Sequence, residues 1–113
     1  MAKTLFEKII DREIPGSFVH EDEHCVVIKD INPAAPVHLL VIPRKPLVKL
    51  SDAVPADQAL LGHLLLVANK VATDAGIADA YRVIVNNGAG AGQSVFHLHI
   101  HVLAGRPMKW PPG

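Results

Sequence analysis

Apolar residues along the chain alternate between the spacing typical of helices and the spacing typical of strands. Near the start, four of them recur at helical intervals: Leu5, Phe6, Ile9 and Ile10. Thr4 and Glu7 form the Thr-x-x-Glu pattern of a capping box, which places the start of this helix at Thr4. A proline and a glycine stand at 15–16, so we expect the helix to end by Glu13.

Three strand-like runs follow the first helix. Residues 17–21 and 24–29 are joined by two acidic residues and predict a hairpin. The run 25–28 is apolar without alternation, which suits a strand covered on both faces. The loop 30–36 contains two prolines that limit its backbone freedom. Residues 37–42 predict the third strand, which a proline stops.

A broad apolar stripe at helical spacing marks a second, longer helix. It runs from about Ala56 to Ala75, and the stripe consists of Leu60, Leu61, Leu64, Leu65, Val67, Ala68, Val71 and Ala72. Pro55 is tolerated in the first turn, and Gly76 is a natural stop. Two further strands are expected at residues 81–85 and 95–103.

The order of these elements predicts the fold class. Consecutive, tightly linked strands favour an antiparallel sheet with helices against it, so we expect an α+β domain with about five strands and two helices. The 113 residues fit one domain, residues 1–113. The end of the chain, from about residue 104, carries three prolines and the only tryptophan, Trp110. We expect this tail to dock on the domain or on a second subunit.

Composition narrows the possible functions. Lys plus Arg and Asp plus Glu both number 11, so no net positive charge attracts nucleic acid or an acidic membrane. The apolar runs are shorter than the ~20 residues of a membrane span, and the start does not read as a signal peptide. We therefore expect a cytoplasmic protein without nucleic-acid or membrane partners. The single cysteine, Cys25, excludes an intrachain disulfide and is interpreted as a small buried hydrophobe.

The stretch 97–103 carries the strongest chemical signal. His97, His99 and His101 alternate with apolar residues, so a strand would place them in a row on one face, roughly 6.5–7 Å apart. The opposite face would bury Leu98, Ile100 and Val102. The preceding glycine-rich loop, residues 87–94, exposes backbone N–H groups suited to phosphate.

Three interpretations of the histidines are open. They are surface residues satisfied by water, or zinc ligands joined by His38 or His20, although the motif lacks a carboxylate or cysteine. In the third, a neutral imidazole attacks phosphorus and forms a covalent intermediate, while neighbouring histidines and loop amides stabilise the phosphoryl oxygens.

The glycine loop precedes a strand and lacks Gly-Lys-Ser/Thr, so it is neither a dinucleotide fingerprint nor a P-loop. It is either a flexible turn or a phosphate-binding nest, and beside the histidines it favours the third interpretation.

The run 97–103 matches the His-φ-His-φ-His-φ-φ signature of the histidine triad nucleotide-binding family. The chain resembles that family from Thr4 to its end. Gly-Gln-Ser-Val-Phe at 92–96 and Met-Lys-Trp-Pro-Pro-Gly at 108–113 are similar to the Hint branch, the purine nucleoside phosphoramidases. The resemblance implies a compact HIT-like α+β domain that pairs as a homodimer through its sheets.

The resemblance also implies roles for individual residues. His99 matches the nucleophile, supported by His38 and His101, while His97 completes the catalytic set with a possible structural role. Among the residues matched to nucleotide contacts, Asp30 lies at the ribose, Ile28 and Ile31 at the base, and Asn86 on the phosphate side. Gln93 and Ser94 match positions at the phosphate and leaving group, and Ser94 is also counted as catalytic. Gly92, Val95, His99 and His101 complete the nucleotide-binding set, and Trp110 belongs to the specificity or partner-subunit tail.

Each of these assignments has a structural alternative. Asp30 also suits a turn, Ile28 and Ile31 suit a core, and His38 suits a buried, hydrogen-bonded position. Pro46 departs from the family, many members of which have histidine there. A proton relay attributed to that histidine is therefore not carried over to this chain.

The expected function is hydrolysis of adenosine or guanosine 5′-monophosphoramidates, that is, AMP or GMP conjugates. A nucleotidyl-His99 intermediate would form, and neither a cofactor nor a metal would be required. The alternatives are a dinucleoside polyphosphate hydrolase similar to the Fhit branch, a non-catalytic nucleotide-binding regulatory protein, and a zinc-binding protein.

Overall fold

A five-stranded antiparallel sheet forms the centre of the molecule. In this computed structural model, which describes residues 2–113, the elements in chain order are α1 (Leu5–Ile10), β1 (Phe18–Glu21), β2 (Cys25–Lys29), β3 (Val37–Pro43), α2 (Gln58–Asp74), β4 (Tyr81–Ile84) and β5 (Ile100–Ala104). Short 3₁₀ turns lie at Leu50–Asp52, Pro55–Asp57 and Ala89–Ala91. The strand order is β1-β2-β3-β5-β4. The predicted α+β class, with five strands and two helices, is confirmed.

The capping box predicted for α1 is present. Thr4 Oγ1 accepts the Glu7 N–H at 3.2 Å, and Glu7 Oε1 accepts the Thr4 N–H at 3.0 Å. These two bonds satisfy amides that the first turn leaves without a helical partner. The helix ends at Ile10 and buries Phe6 and Ile9 against the sheet.

Each face of the sheet has its own apolar core. The core under α1, called the α1-side core, contains Phe6, Ile9, Val26, Ile28, Leu40 and Ile42. The core under α2, called the α2-side core, contains Cys25, Val27, Leu39, Val41, Leu64, Val67, Ala68, Val71, Ala72, Leu98, Ile100 and Val102, with Leu47. Alternate residues of β2 and β3 enter opposite cores because side chains along a strand point to alternate faces. The unbroken apolar run at 25–28 is thereby explained.

The fifth strand starts later than predicted, at Ile100 rather than Val95. Its pairing with β3 ends where Ile100 lies opposite Val41. Before that point the Leu98 N–H donates to the Leu47 carbonyl at 2.7 Å, so a connecting loop replaces a strand as its partner. Leu98 still enters the α2-side core with Ile100 and Val102, as the alternation predicts.

The tail after β5 returns to the domain at two points. The Arg106 guanidinium donates to the Ala34 carbonyl at 3.1 and 3.2 Å, and Arg82 Nη2 donates to the Lys109 carbonyl at 2.9 Å. The Trp110 side chain is 82% exposed. Within residues 2–113, neither helix combines the length and apolar character needed to cross a bilayer.

Replacing Leu64 with alanine tests the position of α2. Leu64 is 0% exposed, whereas Leu50 is 41% exposed. Leu64→Ala should lower the free energy of unfolding by about 2–5 kcal/mol because it leaves a cavity, while the matched Leu50→Ala should cost about 0.5 kcal/mol or less. Urea unfolding followed by circular dichroism measures both losses. Similar losses in the two variants would contradict this packing.

Candidate active site

A cavity of about 520 Å³ lies between α1 and the sheet. This volume is typical of small-molecule sites. Its apolar wall includes Phe6 together with Ile28, Ile31 and Val95, and its polar end is formed by Asp30, Ser94, His99 and His101. Seven residues predicted for the site therefore line one cavity.

His99 lines this cavity and keeps one ring nitrogen unprotonated. Its Nδ1 lies 2.7 Å from the His97 carbonyl oxygen, which can only accept a hydrogen bond. In the neutral ring Nδ1 therefore carries the proton, and Nε2 keeps its lone pair. Burial, first of all, lowers the pKa of His99, so the neutral form persists at neutral pH. The side chain has the charge state and tautomer of a nucleophile.

A hydrogen-bond chain sets the tautomers of the two neighbouring histidines. The Ala34 N–H donates to His38 Nδ1 at 3.0 Å, so the neutral His38 ring carries its proton on Nε2. His38 Nε2 then donates to His101 Nδ1 at 2.9 Å. His101 in turn carries its proton on Nε2, as a donor, with its ring centroid 4.9 Å from that of His99. The lone pair of His99 Nε2 and the N–H of His101 Nε2 are thus carried by neighbouring rings.

The electrostatic environment keeps His101 uncharged. Its pKa is lowered to about 4, first by burial and then by the neighbouring His99 and His38 rings. The Asp30 carboxylate opposes this effect. Asp30 Oδ2 also lies 3.4 Å from His38 Nε2, and its Oδ1 accepts the Asn32 N–H at 2.8 Å. The carboxylate is therefore oriented at the edge of the cavity.

His97 lies beneath the site rather than in it. The side chain is 1% exposed, does not line the cavity, and donates from Nε2 to the Pro43 carbonyl at 2.7 Å. Among residues 2–113, its Nδ1 is the one buried side-chain nitrogen or oxygen without a hydrogen-bond partner. The even row of three imidazoles expected from strand spacing is thus not formed, because the strand begins only at Ile100. Through its carbonyl, His97 positions His99.

Gln93 holds the glycine loop in shape. Its Oε1 accepts the Gly88 N–H at 2.8 Å, and its Nε2 donates to the carbonyls of Val48 and Val95 at 2.7 and 3.1 Å. Gly92 has φ +96°, a conformation that favours glycine. The loop is consequently an ordered turn that delivers Ser94 to the cavity.

The remaining predicted residues do not line the cavity. The Asn86 amide would be 3.7 Å from a Cβ at Gly92, so it packs on the loop. His38 reaches the site through His101, and the exposed Trp110 is not part of the cavity wall.

Sequence analysis missed the contribution of α1. Phe6 packs edge-on against His99, with ring centroids 4.8 Å apart, and Leu5 and Ile9 also line the cavity. The apolar spacing of α1 predicts a buried face, but it does not indicate which side of the sheet that face covers.

Comparison with known families agrees with this geometry. The family model described as HIT domain matches residues 11–108. The chain belongs to the HIT domain family.

Relatives of this HIT domain match over nearly its whole length. An uncharacterised HIT-like protein of Synechocystis is 62% identical over 110 residues, covering 97% of this chain and 96% of the relative. A crystal structure named HIT family hydrolase, from Legionella pneumophila, is 43% identical with a TM-score of 0.96, covering 98% of this chain and 100% of that one. A HIT family hydrolase from Clostridium thermocellum is 46% identical with a TM-score of 0.93, covering 96% of each chain.

The lowered pKa of His101 predicts how the stability of this HIT domain depends on pH. An unfolded histidine titrates near pH 6.5, whereas folded His101 titrates near 4. The unfolded state therefore binds protons more readily, so the free energy of unfolding should fall as the pH drops through this interval and stay level above it. Buried His99 acts in the same direction.

Urea unfolding at a series of pH values measures this loss, and His101→Gln should reduce it. A free energy of unfolding that rises on acidification from about pH 6.5 to about 4 would contradict the assigned charge state.

Proposed function

We propose that the protein hydrolyses purine nucleoside 5′-monophosphoramidates through a nucleotidyl-His99 intermediate and releases a nucleoside monophosphate and an amine. The observation that carries this proposal is the unprotonated Nε2 of His99, beside the Nε2–H of His101, in one cavity. A nucleophile next to a donor for the phosphoryl oxygens is what such a displacement needs.

The cavity has parts that match each portion of the substrate. Ile28 and Ile31 present apolar surface to a flat base without hydrogen-bonding groups to read it, which suits adenine and guanine alike. The Asp30 carboxylate can accept from both hydroxyls of a ribose. The phosphate would then lie toward Ser94 and the histidines.

In the first step His99 Nε2 attacks the α-phosphorus and the P–N bond breaks. The leaving nitrogen departs as the amine after taking a proton from solvent. The Nε2–H of His101 donates to a phosphoryl oxygen, while the His97 carbonyl accepts from Nδ1–H and stabilises the positive charge that develops on the ring. In the second step water attacks phosphorus, the P–N bond to His99 breaks, and the nucleoside monophosphate leaves.

Two further observations support hydrolysis of a nucleotide. The solved relatives from Legionella pneumophila and Clostridium thermocellum are both named HIT family hydrolases. The motif at 97–103 and the end at 108–113 resemble the phosphoramidase branch of the histidine triad proteins.

Removing the His99 imidazole tests the mechanism. With a fluorogenic adenosine 5′-phosphoramidate as substrate, His99→Ala should lower turnover by about 10⁴-fold or more, because no other group can form the intermediate. His24→Gln, on the exposed β1–β2 turn, is the matched control and should keep full activity. A metal chelator should leave the wild-type rate unchanged.

Three results would overturn this assignment. Turnover lost to the chelator would indicate metal catalysis. Nucleotide binding without turnover would indicate a regulatory protein. Faster cleavage of a dinucleoside polyphosphate would move the assignment to that class of hydrolase.

The proposal includes a homodimer joined along β4. This strand forms one edge of the sheet, and its Tyr81 hydroxyl donates to Asn69 Oδ1 on α2 at 3.0 Å. Leu65 and Leu66, one turn earlier on the helix, are 53% and 71% exposed. An open strand edge and exposed leucines on the adjoining helix are features that a second copy would cover.

Matched variants at the two sheet edges test the dimer. Val83 on β4 and Val19 on β1 are both exposed, on opposite edges. Light scattering should give twice the 12.1 kDa chain mass for the wild type and for Val19→Asp, and a monomer for Val83→Asp, because a buried carboxylate opposes association. A wild-type monomer, or dissociation caused equally by both variants, would contradict the proposed edge.

A further inference from the structure

A second cluster of ligand-type side chains lies at the β1–β2 turn, on the α2 side of the sheet. His20 comes from β1, Asp22 from the turn, Cys25 from the start of β2 and His63 from α2. Cys25 belongs to the α2-side core, whereas His99 contacts Phe6 in the α1-side core. The cluster is therefore separated from the candidate active site by the sheet.

The other three side chains converge on one oxygen of the Asp22 carboxylate. Asp22 Oδ2 lies 2.8 Å from His20 Nε2 and 2.8 Å from His63 Nε2. Cys25 Sγ is 3.5 Å from the same oxygen. The donor atoms of His20, Asp22 and Cys25 all lie within 4.8 Å of one another. His63 Nε2 stands outside this group of three and joins it through its contact with Asp22 Oδ2.

The turn itself already orients the carboxylate. Asp22 Oδ1 accepts the backbone N–H groups of His24 and Cys25 at 2.7 and 2.9 Å. The Asp22 N–H donates to the Cys25 carbonyl at 3.0 Å. Because one oxygen is occupied by the backbone, the other is held toward the two imidazoles and the thiol.

We propose that this cluster binds one zinc ion through His20 Nε2, Asp22 Oδ2, Cys25 Sγ and His63 Nε2. Four ligands of the nitrogen, sulfur and oxygen types match the tetrahedral preference of zinc. Magnesium and calcium prefer sets made of oxygen atoms alone, so a thiolate and two imidazoles select against them.

Charge and protons balance in this site. Burial, followed by the nearby Asp22 carboxylate, raises the pKa of the Cys25 thiol to about 12, so without metal the sulfur keeps its proton. On binding, the S–H bond is replaced by an S–Zn bond and the proton passes to solvent. Two neutral imidazoles, one carboxylate and one thiolate then carry two negative charges, which the ion neutralises.

Bonds of roughly 2.0–2.3 Å in a tetrahedron separate the ligand atoms by about 3.3–3.8 Å. The 3.5 Å between Asp22 Oδ2 and Cys25 Sγ already fits, and the His20 imidazole must withdraw from that oxygen by about half an ångström. The largest adjustment falls on His63, which lies outside the group of three whose ligand atoms are all within 4.8 Å of one another. The His63 side chain is 35% exposed and the Asp22 side chain 26% exposed, which gives them room to move and gives the ion an entry path.

A zinc ion at this position would tie the β1–β2 turn to α2. The ligands come from one hairpin and from a helix more than 35 residues later, so the ion would stabilise the fold by binding only the folded chain. Catalysis is expected to be independent of it, because the ion lies across the sheet from His99.

Titration of the full chain with cobalt(II), a spectroscopic substitute for zinc, tests the site. A thiolate-to-cobalt charge-transfer band, together with the intense visible bands of tetrahedral cobalt, is expected, and zinc should abolish both. Cys25 is the only cysteine, so this band reports the proposed site and cannot arise from the second group of candidate ligands, Asp30, His38 and His101.

Single variants identify the ligands. Cys25→Ser should remove the charge-transfer band, and His63→Gln should weaken zinc affinity by at least about 10-fold while keeping the folded circular-dichroism spectrum. Glu23→Gln is the matched control: it changes an exposed side chain on the same turn that lies outside the ligand group, so affinity should not change. Zinc should raise the Tm of wild type and of Glu23→Gln, and raise it less in His63→Gln.

Absence of the band would overturn the proposal. Equal zinc affinity in His63→Gln and wild type would overturn the ligand set. These readouts use no substrate, so the outcome is separate from that of the proposed phosphoramidase activity.

Discussion

The pairing of β3 with β5 is the constraint on which the candidate active site depends. This pairing places Leu40 opposite His101. It thereby brings Nε2 of His38, two residues earlier on β3, to 2.9 Å from Nδ1 of His101. A shift of one residue in this register would turn His101 into the α2-side core, because side chains alternate between faces. The tautomers of His38 and His101, and so the N–H donor that His101 offers to the cavity, follow from this alignment.

The irregular residues just before β5 position His99, the other main residue of the site. Because β5 begins only at Ile100, the preceding residues are free to bend, and the His97 carbonyl turns toward its own chain to accept from His99. A regular strand would have engaged that carbonyl with a neighbouring strand instead. The irregular segment therefore gives His99 the tautomer of a nucleophile, which a regular strand would not fix. Gln93 holds the glycine loop that precedes this segment.

Local patterns predicted the elements and the chemistry, but long-range contacts decided the details. The Thr4–Glu7 capping box, the stripe on α2 and the alternation of Leu98, Ile100 and Val102 depend on nearby residues, and the structure agrees with them except at one stripe position. That position is Leu65, which is 53% exposed. The late start of β5 depends on where a distant strand ends, so alternation alone overestimated its length. The contact of Phe6 with His99, and the meeting of His63 with Asp22, join residues far apart in sequence. Cys25 is buried as predicted, yet its ligand-type neighbours were not visible in the sequence.

The two faces of the sheet differ in how firmly they are covered. Helix α2 spans 17 residues and buries five of them, whereas α1 spans six and buries only Phe6 and Ile9. Since local opening costs least where few apolar contacts are lost, α1 is the part of the cavity wall that opens most readily. The short helix is thus the least firmly packed wall of the cavity, and the Thr4–Glu7 box stabilises its first turn without tying it to the sheet. A local opening of α1 would leave the sheet and the aligned histidines beneath it in place.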